Sequence, residues 1–180
     1  LSSVRAVDQA RIAGAPMVFV GYGVNAPERG WDDFKGVDLT GKVAVFLVND
    51  PDFEAAEGEP VAGKFGGKAM TYYGRWTYKF EEGARKGAAA VLIVHETVPA
   101  AYPFSVVQGN LGEKFDTIAP DKNMSRSNIE GWITVDAARI DAALAPAFDA
   151  LLAPHGPLAA LFDAKRAAVG ALLARCRHAL

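Results

Sequence analysis

The stretch GKAMTYYGRWTYKFEEGARKGAAAVLIVHET, residues 67–97, decides the fold. It contains a polar and aromatic entry, an amphipathic helix, a glycine that ends the helix, and an apolar run typical of a strand buried on both faces. Trp76, Phe80 and Ala84 recur at helical spacing, so the pattern predicts that they line one face of the helix. Gly87 is the predicted end of the helix, because glycine readily adopts the left-handed backbone that follows a last turn.

Charged side chains on this helix are spaced to pair along its surface. Glu81 precedes Arg85 by four residues and Glu82 precedes Lys86 by four, an arrangement that stabilises a helix by about 0.2–0.5 kcal/mol per pair. Gly83, in the helix interior, lowers helix stability by about 1 kcal/mol relative to alanine. We therefore expect packing against another element to favour the helix.

Three further apolar runs are typical of strands, because turn-forming residues bound each of them. They are residues 17–22 (MVFVGY), 42–48 (KVAVFLV) and 130–135 (EGWITV). A long connection that contains the predicted helix separates the run 42–48 from the apolar run 88–94. This order predicts a parallel pair of strands with a right-handed crossover. The intervening residues 52–68, rich in glycine, glutamate and alanine, predict a mobile loop.

Alanine and leucine dominate the chain beyond Asp136. Asp136 is a predicted N-cap of a helix that extends to about residue 152, since aspartate accepts hydrogen bonds from first-turn amides. Residues 158–176 predict a second amphipathic helix, whose apolar stripe could join copies of the chain.

The totals are those of an ordinary globular chain of 180 residues, long enough for one domain and an appended element. The net charge of −2, without a basic block, argues against nucleic acid as a partner. The single cysteine, Cys176, excludes an intrachain disulfide. No apolar run is long enough to predict a membrane span.

Two glycine-rich stretches resemble phosphate-binding motifs but fail in detail. Residues 21–26 fit the G-x-G-x-x-A form after a strand, yet no helix pattern follows to present its N–H groups to a pyrophosphate. We interpret these glycines as the exit of a strand. Residues 63–69 would need glycine at the preceding position and serine or threonine at the last, where Ala62 and Ala69 stand.

Candidate catalytic groups are few. His95 and Glu96 begin like a zincin motif, but Pro99 stands where the second histidine belongs. His95 could line a cleft at the end of its strand, although a hydrogen bond to nearby backbone is the favoured interpretation. Cys176 and the loop serines have no recognisable partner base, and only three histidines are present. We predict neither a catalytic set nor a metal or other cofactor in this chain.

The block YYGRWTYK, residues 72–79, concentrates aromatic and cationic side chains of the kinds that protein interfaces favour. The candidates for contacting a partner or a substrate are Tyr72, Tyr73, Arg75, Trp76, Tyr78 and Lys79, together with His95. Arg75 and Lys79 are four residues apart and so share a helix face, while Trp76 continues the apolar stripe. The alternative is that Trp76 and one tyrosine belong to the core and the cations are solvated.

Residues 16–138 resemble the protease-associated domain of zinc aminopeptidases, in the superfamily that also holds glutamate carboxypeptidase and the transferrin receptor. The blocks that carry the resemblance, in order, are GYG, GWDD, GKV, NDP, YYGRWTYK, GAAAVLIVHET with AAYPF, and EGWIT. The resemblance implies an α+β fold of the swivelling type, a small, partly open barrel or sandwich with flanking helices. It divides the chain into a protease-associated domain, residues 1–138, and an unmatched helical extension, residues 139–180.

The resemblance also implies a non-catalytic lid and recognition module that shapes substrate access. Its partners would be the parent's peptidase domain and a peptide or protein substrate. Zinc would belong to that peptidase domain, whose ligand motifs have no counterpart here, and the parent would be periplasmic or secreted. Two alternatives remain: a free-standing module that forms homo-oligomers through residues 158–176, and a small hydrolase with a cleft near His95 and Arg75.

Overall fold

The computed structural model describes residues 1–108 and 119–139, which form a mixed α and β structure. Its elements are β1 (Met17–Phe19), β2 (Asn25–Ala26), β3 (Trp31–Asp32), β4 (Val43–Leu47), α1 (Trp76–Arg85), β5 (Ala90–His95), α2 (Thr97–Ala100), α3 (Ser105–Gln108), β6 (Ile129–Thr134) and α4 (Val135–Arg139). Short 3₁₀ turns cover Pro27–Arg29 and Tyr72–Gly74.

Four strands form one parallel sheet in the order β1-β4-β5-β6. The predicted parallel pairing across the helical crossover is confirmed, with Phe46 of β4 opposite Ile93 of β5. Strands β2 and β3 form a separate antiparallel ribbon in a region where the sequence showed only loop signals. The described strands thus make an open sheet with an attached ribbon and do not close into a barrel.

The core lies where α1 and the loops cover the two central strands. Strands β4 and β5 are almost entirely buried, as expected for parallel strands covered on both faces. The largest cluster of buried apolar side chains comprises Val20, Phe34, Leu39, Ala44, Phe46, Val48, Phe80, Ala88, Val91, Ile93 and Ala100. A second cluster, built from Tyr22, Val24, Ala26 and Tyr78, joins the ribbon to α1.

Helix α1 packs on β5 through its interior glycine. A Cβ atom on Gly83 would lie 2.3 Å from Cγ2 of Val91, so only glycine permits this approach. The expectation that packing stabilises the helix is therefore met by a specific contact. Trp76 shares a helix face with Phe80, since their ring centroids lie 5.9 Å apart, but Trp76 is 48% exposed.

Other boundaries differ from their predictions for local reasons. Thr134, rather than Asp136, is the N-cap of α4, because its Oγ1 accepts a hydrogen bond from the amide of Ala137 at 3.0 Å. Residues 52–68 form successive hydrogen-bonded turns, with Val61 buried. The predicted helix over residues 158–176, Cys176 and nearly all of the proposed extension lie outside the described residues. Among the helices that are described, none is long and apolar enough to cross a membrane.

Replacing Gly83 with alanine tests the contact between α1 and β5. Helix propensity alone predicts that Gly83→Ala gains about 1 kcal/mol of stability. We expect instead a loss of about 1–3 kcal/mol, measured by urea denaturation, because the new methyl group overpacks against Val91.

The double variant Gly83→Ala/Val91→Ala is the control, since the smaller residue at position 91 makes room for the added methyl group. The two single losses of stability should then add to more than the loss in the double variant. A higher urea midpoint for Gly83→Ala than for the unmodified protein would show that the space between α1 and Val91 accommodates a methyl group.

Candidate functional site

The carboxyl ends of the parallel strands meet around a buried lysine. Lys79, in the first turns of α1, has 0% of its surface exposed. Its Nζ donates hydrogen bonds to the carbonyl oxygens of Tyr22 at 2.6 Å and Asn49 at 3.1 Å, just beyond the ends of β1 and β4. The prediction that Lys79 faces a partner is therefore wrong, because its ammonium group ties the helix to the sheet.

Tyr22 lies against this lysine and is itself buried. The Lys79 Nζ is 5.9 Å from the centre of the Tyr22 ring, within range of a cation–π contact. Burial raises the pKa of Tyr22 well above its ordinary value, and the nearby carboxylates of Glu54, Glu96 and Asp33 raise this pKa further, as does Asp50. The hydroxyl thus stays protonated at all ordinary pH values and is not poised as a base.

Carboxylates that follow the strands are engaged by nearby donors. Asp33 accepts hydrogen bonds from the amide of Val24 and from Nε1 of Trp31, both at 2.9 Å. Asp50, which is fully buried, accepts from both the amide (2.6 Å) and the hydroxyl (2.7 Å) of Thr71. These hydrogen bonds fix the position of the ribbon and of the residues that precede α1, so both carboxylates have a structural role.

The glycine-rich stretch at residues 63–69 cradles a carboxylate from the same chain. The amides of Phe65 and Gly67 both donate to the Asp52 carboxylate, at 2.9 Å and 3.1 Å. Successive backbone N–H groups that converge on an anion are the feature that phosphate loops use. Here these donors bind Asp52, which pins the loop to the end of β4.

The glycines at residues 21–26 have a packing role. A Cβ atom on Gly23 would lie 2.1 Å from the ring of Phe46, and its φ of 59° is left-handed. A 3₁₀ turn, Pro27–Arg29, follows instead of an α-helix. The interpretation of these glycines as a strand exit is confirmed, because β1 ends at Phe19 and a turn follows at residues 21–22.

The remaining residues of the block 72–79 separate into inner and outer side chains. Tyr78 is buried, and its hydroxyl accepts a hydrogen bond from the Asn25 amide at 3.0 Å, so it belongs to the core and not to a contact surface. Tyr72, Arg75 and Trp76 are exposed, Tyr72 by 52%. Tyr73 is half-buried. The structure thus leaves Tyr72, Tyr73, Arg75 and Trp76 available to a partner.

Aromatic side chains from three separate segments form a row beside this outer surface, and the buried Tyr78 is its inner member. The rings meet edge to face in the order Trp31, Phe65, Tyr73, Tyr78 and Tyr72, with centroids 5.0–6.3 Å apart. The Arg29 guanidinium lies over the rings of Phe65 and Tyr73, at 5.2 Å and 5.5 Å. Sequence reasoning missed Arg29, Trp31 and Phe65, because only the fold brings the ribbon and the loop beside the block.

His95 ends β5 inside an aromatic cluster rather than in an open cleft. It is 4% exposed, and its ring lies 5.4–5.6 Å from those of Tyr102, Phe104 and Trp132. Burial lowers the pKa of His95, while backbone hydrogen bonds at Tyr102 and at His95 itself oppose the shift. Its Nε2 has no hydrogen-bond partner among the residues that the structure describes. A neutral imidazole with an unpaired nitrogen is the expected state.

The strand order of the sheet bears on where a ligand could bind. Because strand order in the sheet follows chain order, every described crossover steps in the same direction. Doubly wound sheets hold their ligands where neighbouring crossovers step in opposite directions, and the described strands contain no such point. Within residues 1–108 and 119–139, no three His, Cys, Asp or Glu side chains lie close enough to hold a metal ion together.

No family model matches this chain, and neither the curated proteins nor the solved structures include a match. The class that the fold itself defines is a mixed α and β chain with an open parallel sheet, a buried lysine at the carboxyl edge and an aromatic outer face.

Replacing Lys79 tests its role at the sheet edge. Lys79→Met should lower the free energy of unfolding by about 1–3 kcal/mol for each of the two carbonyl groups that loses its donor. Arg75→Met, an exposed position one turn earlier, is the matched control and should change stability by less than about 0.5 kcal/mol. Equal effects of the two changes in urea denaturation would contradict the buried role.

The lowered pKa of His95 predicts acid sensitivity. Above an ordinary histidine pKa of about 6.5 both folded and unfolded states are neutral. As pH falls below this value the unfolded chain takes up the proton first, so the free energy of unfolding decreases until the folded-state pKa is reached. His95→Phe should flatten this decrease between about pH 8 and pH 5. Tyr102→Phe, which keeps the imidazole, should retain the decrease; an unchanged pH profile for His95→Phe would contradict the assignment.

Proposed function

We propose that this chain is a non-catalytic recognition module, a protease-associated domain that acts as a lid on a zinc-dependent aminopeptidase. The observation that carries the proposal is the division of the block 72–79. Tyr78 holds the block to the ribbon and Lys79 holds it to the sheet edge, while Tyr72, Arg75 and Trp76 point large contact groups outward. Exposed tyrosine, tryptophan and arginine on a rigid base are typical of interaction surfaces.

The scaffold supports this role in a second way. Carboxylates that follow β4 are engaged by backbone amides and by Thr71, and the imidazole of His95 is enclosed by aromatic rings. These groups position loops, so the outer face is the part of the site that we propose contacts a partner. The parallel sheet with flanking helices is compatible with the swivelling α+β arrangement, which is part of this proposal. The peptidase domain would supply zinc and hydrolysis, and this chain would shape access for peptides or proteins.

Two alternatives remain predictions. Homo-oligomer formation through residues 158–176 concerns a segment outside the described residues. A small hydrolase with a cleft near His95 would need a route to an imidazole that is 4% exposed. No observation in the described part of the chain favours either over the recognition module.

Metal content and aminopeptidase activity of the isolated chain, measured before and after addition of zinc, test the proposal directly. We expect no stoichiometric zinc and no turnover. Stoichiometric zinc together with turnover that His95→Ala abolishes would overturn the proposal and favour the hydrolase.

The outer face is tested where the domain is expressed together with a peptidase domain. Trp76→Ala should change the KM for peptide substrates by roughly tenfold, the effect of losing about 1.4 kcal/mol of contact energy. Val98→Ala, another exposed apolar side chain, is the control and should leave KM unchanged. Equal KM values for the unmodified protein, Trp76→Ala and Val98→Ala would show that Trp76 does not contact the partner or the substrate.

A further inference from the structure

The chain folds back over the end of β5 immediately after that strand. Residues 96–104, which we call the β5 cover, contain α2 and continue to two aromatic residues. The rings of Tyr102 and Phe104 each lie 5.4 Å from the ring of His95. Trp132, in β6, completes the cluster with its ring 5.6 Å from the imidazole. Two of the three rings that enclose the imidazole therefore belong to the β5 cover.

A side-chain hydrogen bond holds the β5 cover to the sheet edge in addition to these ring contacts. Asn49, which follows β4, donates from Nδ2 to the carbonyl of Pro99 at 2.7 Å. The turn of α2 is hydrogen-bonded within the cover, where the amide of Ala100 donates to the carbonyl of Glu96 at 2.9 Å. Helix α2 makes no extensive contact with another helix or strand of the described chain. A segment packed in this way opens at a lower free energy than the core.

One residue of the β5 cover adopts an unfavourable backbone conformation. Ala101, which ends α2, has a φ of 66°, in the left-handed region that residues with a Cβ atom rarely adopt. Such a conformation persists only where surrounding contacts impose it. The contacts that follow Ala101 are those of Tyr102 and Phe104 with the imidazole. Loss of these ring contacts would therefore also let the backbone at Ala101 relax, which favours opening.

The enclosure suits a neutral imidazole and disfavours a charged one. His95 is 4% exposed, and its Nε2 has no hydrogen-bond partner among the described residues. Protonation would place a positive charge and a second N–H donor inside the ring cluster, away from water and without an acceptor. Burial accordingly lowers the pKa of His95, against the effect of the backbone hydrogen bonds. Movement of the β5 cover away from the sheet edge would return the charged ring to water.

Other ionisable groups at this edge do not stabilise the protonated imidazole. The causes of the lowered His95 pKa are burial and backbone hydrogen bonds, with no contribution from a charged side chain among the described residues. Asp50 and Lys79 are hydrogen-bonded to other groups, and burial keeps Tyr102 neutral by raising its pKa. The titratable side chains at this edge, on the β5 cover and on the described elements that contact β5, are Glu96, Tyr102, Asp50, Lys79 and Asp136.

We propose that His95 is the trigger of an acid-operated switch, in which protonation of its imidazole releases the β5 cover while the sheet stays folded. In the open state the rings of Tyr102, Phe104 and Trp132 add an apolar surface at the carboxyl edge. The inference goes beyond the proposed function, because it concerns the response of the fold to acid and does not depend on which partner the chain binds. Since opening takes up one proton, the ratio of open to closed molecules should rise by up to about tenfold per pH unit below about 6.5.

Hydrogen exchange of single backbone amides, followed by NMR on the full chain, tests the switch. Protection factors, corrected for the intrinsic exchange rate at each pH, report the opening equilibrium. The amide of Ala100, hydrogen-bonded within the β5 cover, should lose up to about tenfold of its protection per pH unit between about pH 6.5 and pH 5. The amide of Leu47, bonded to the carbonyl of Gly21, reports the sheet and should remain more protected. Urea up to about 1 M should lower the protection of Leu47 but hardly that of Ala100, because opening of a short segment exposes little surface.

Three variants separate the trigger from the fastening of the β5 cover. His95→Phe keeps an aromatic ring but cannot take up a proton, so the protection of Ala100 should change by less than about twofold over the same pH range. His155→Phe removes another imidazole of the chain and is the matched control, which should retain the full pH dependence. Asn49→Gly removes the donor to Pro99 while glycine accepts the φ of 79° at this position. It should lower the protection of Ala100 at every pH without changing the slope.

The measurement on the unmodified protein decides the inference even if His95→Phe fails to fold. Protection of Ala100 that stays constant from pH 7.5 to pH 5 would overturn it. Equal protection and equal urea dependence of Ala100 and Leu47 would also overturn it, because the β5 cover would then open only when the whole domain unfolds. A pH dependence that persists in His95→Phe would assign the trigger to another group and reject the role of His95.

Discussion

The ammonium group of Lys79 is the constraint on which the arrangement of this molecule depends. A cation with no exposed surface must have its donors satisfied, and the Lys79 donors reach carbonyl groups just beyond β1 and β4. Because those carbonyls lie just beyond the ends of the strands, the bonds place the first turns of α1 over the carboxyl edge. The bonds therefore fix both the height and the rotation of the helix on the sheet.

Several other features follow from that rotation. With Lys79 facing inward, Tyr78 turns toward the ribbon and Gly83 faces Val91, where only a glycine fits. The chain just before the helix must then pass close to the end of β4, and Gly74 accepts a hydrogen bond from the Asn49 amide at 3.0 Å. Tyr72 and Trp76 are left outside by the same geometry. Their exposure is a consequence of the buried lysine, which anchors the helix from which they project.

The central strands and their crossover were predictable because parallel strands buried on both faces appear as continuous apolar runs. The orientation of α1 was not, because hydrophobic periodicity assigns polar side chains to solvent. Here Lys79, Glu82 and Gly83 share the buried side, and the glycine was the available signal that this side lies close to another element. The ribbon has only two residues in each strand, too few for a pattern. The aromatic outer face depends on contacts between distant segments, which spacing along one segment does not encode.

The need of a buried carboxylate for hydrogen-bond donors explains how the acidic side chains of this molecule are paired. A carboxylate removed from water must be met by donors, and backbone amides do so for Asp52 with a short glycine-rich loop. Glu82 and Glu130 are instead met by guanidinium groups, which carry more donors than one carboxylate can use. An amide donor is exhausted by its single bond, whereas Arg85 and Arg126 retain Nη1 after neutralising their glutamates. Burial of the two glutamates therefore fixes the orientation of both guanidinium groups, whereas burial of Asp52 fixes the path of the glycine-rich loop.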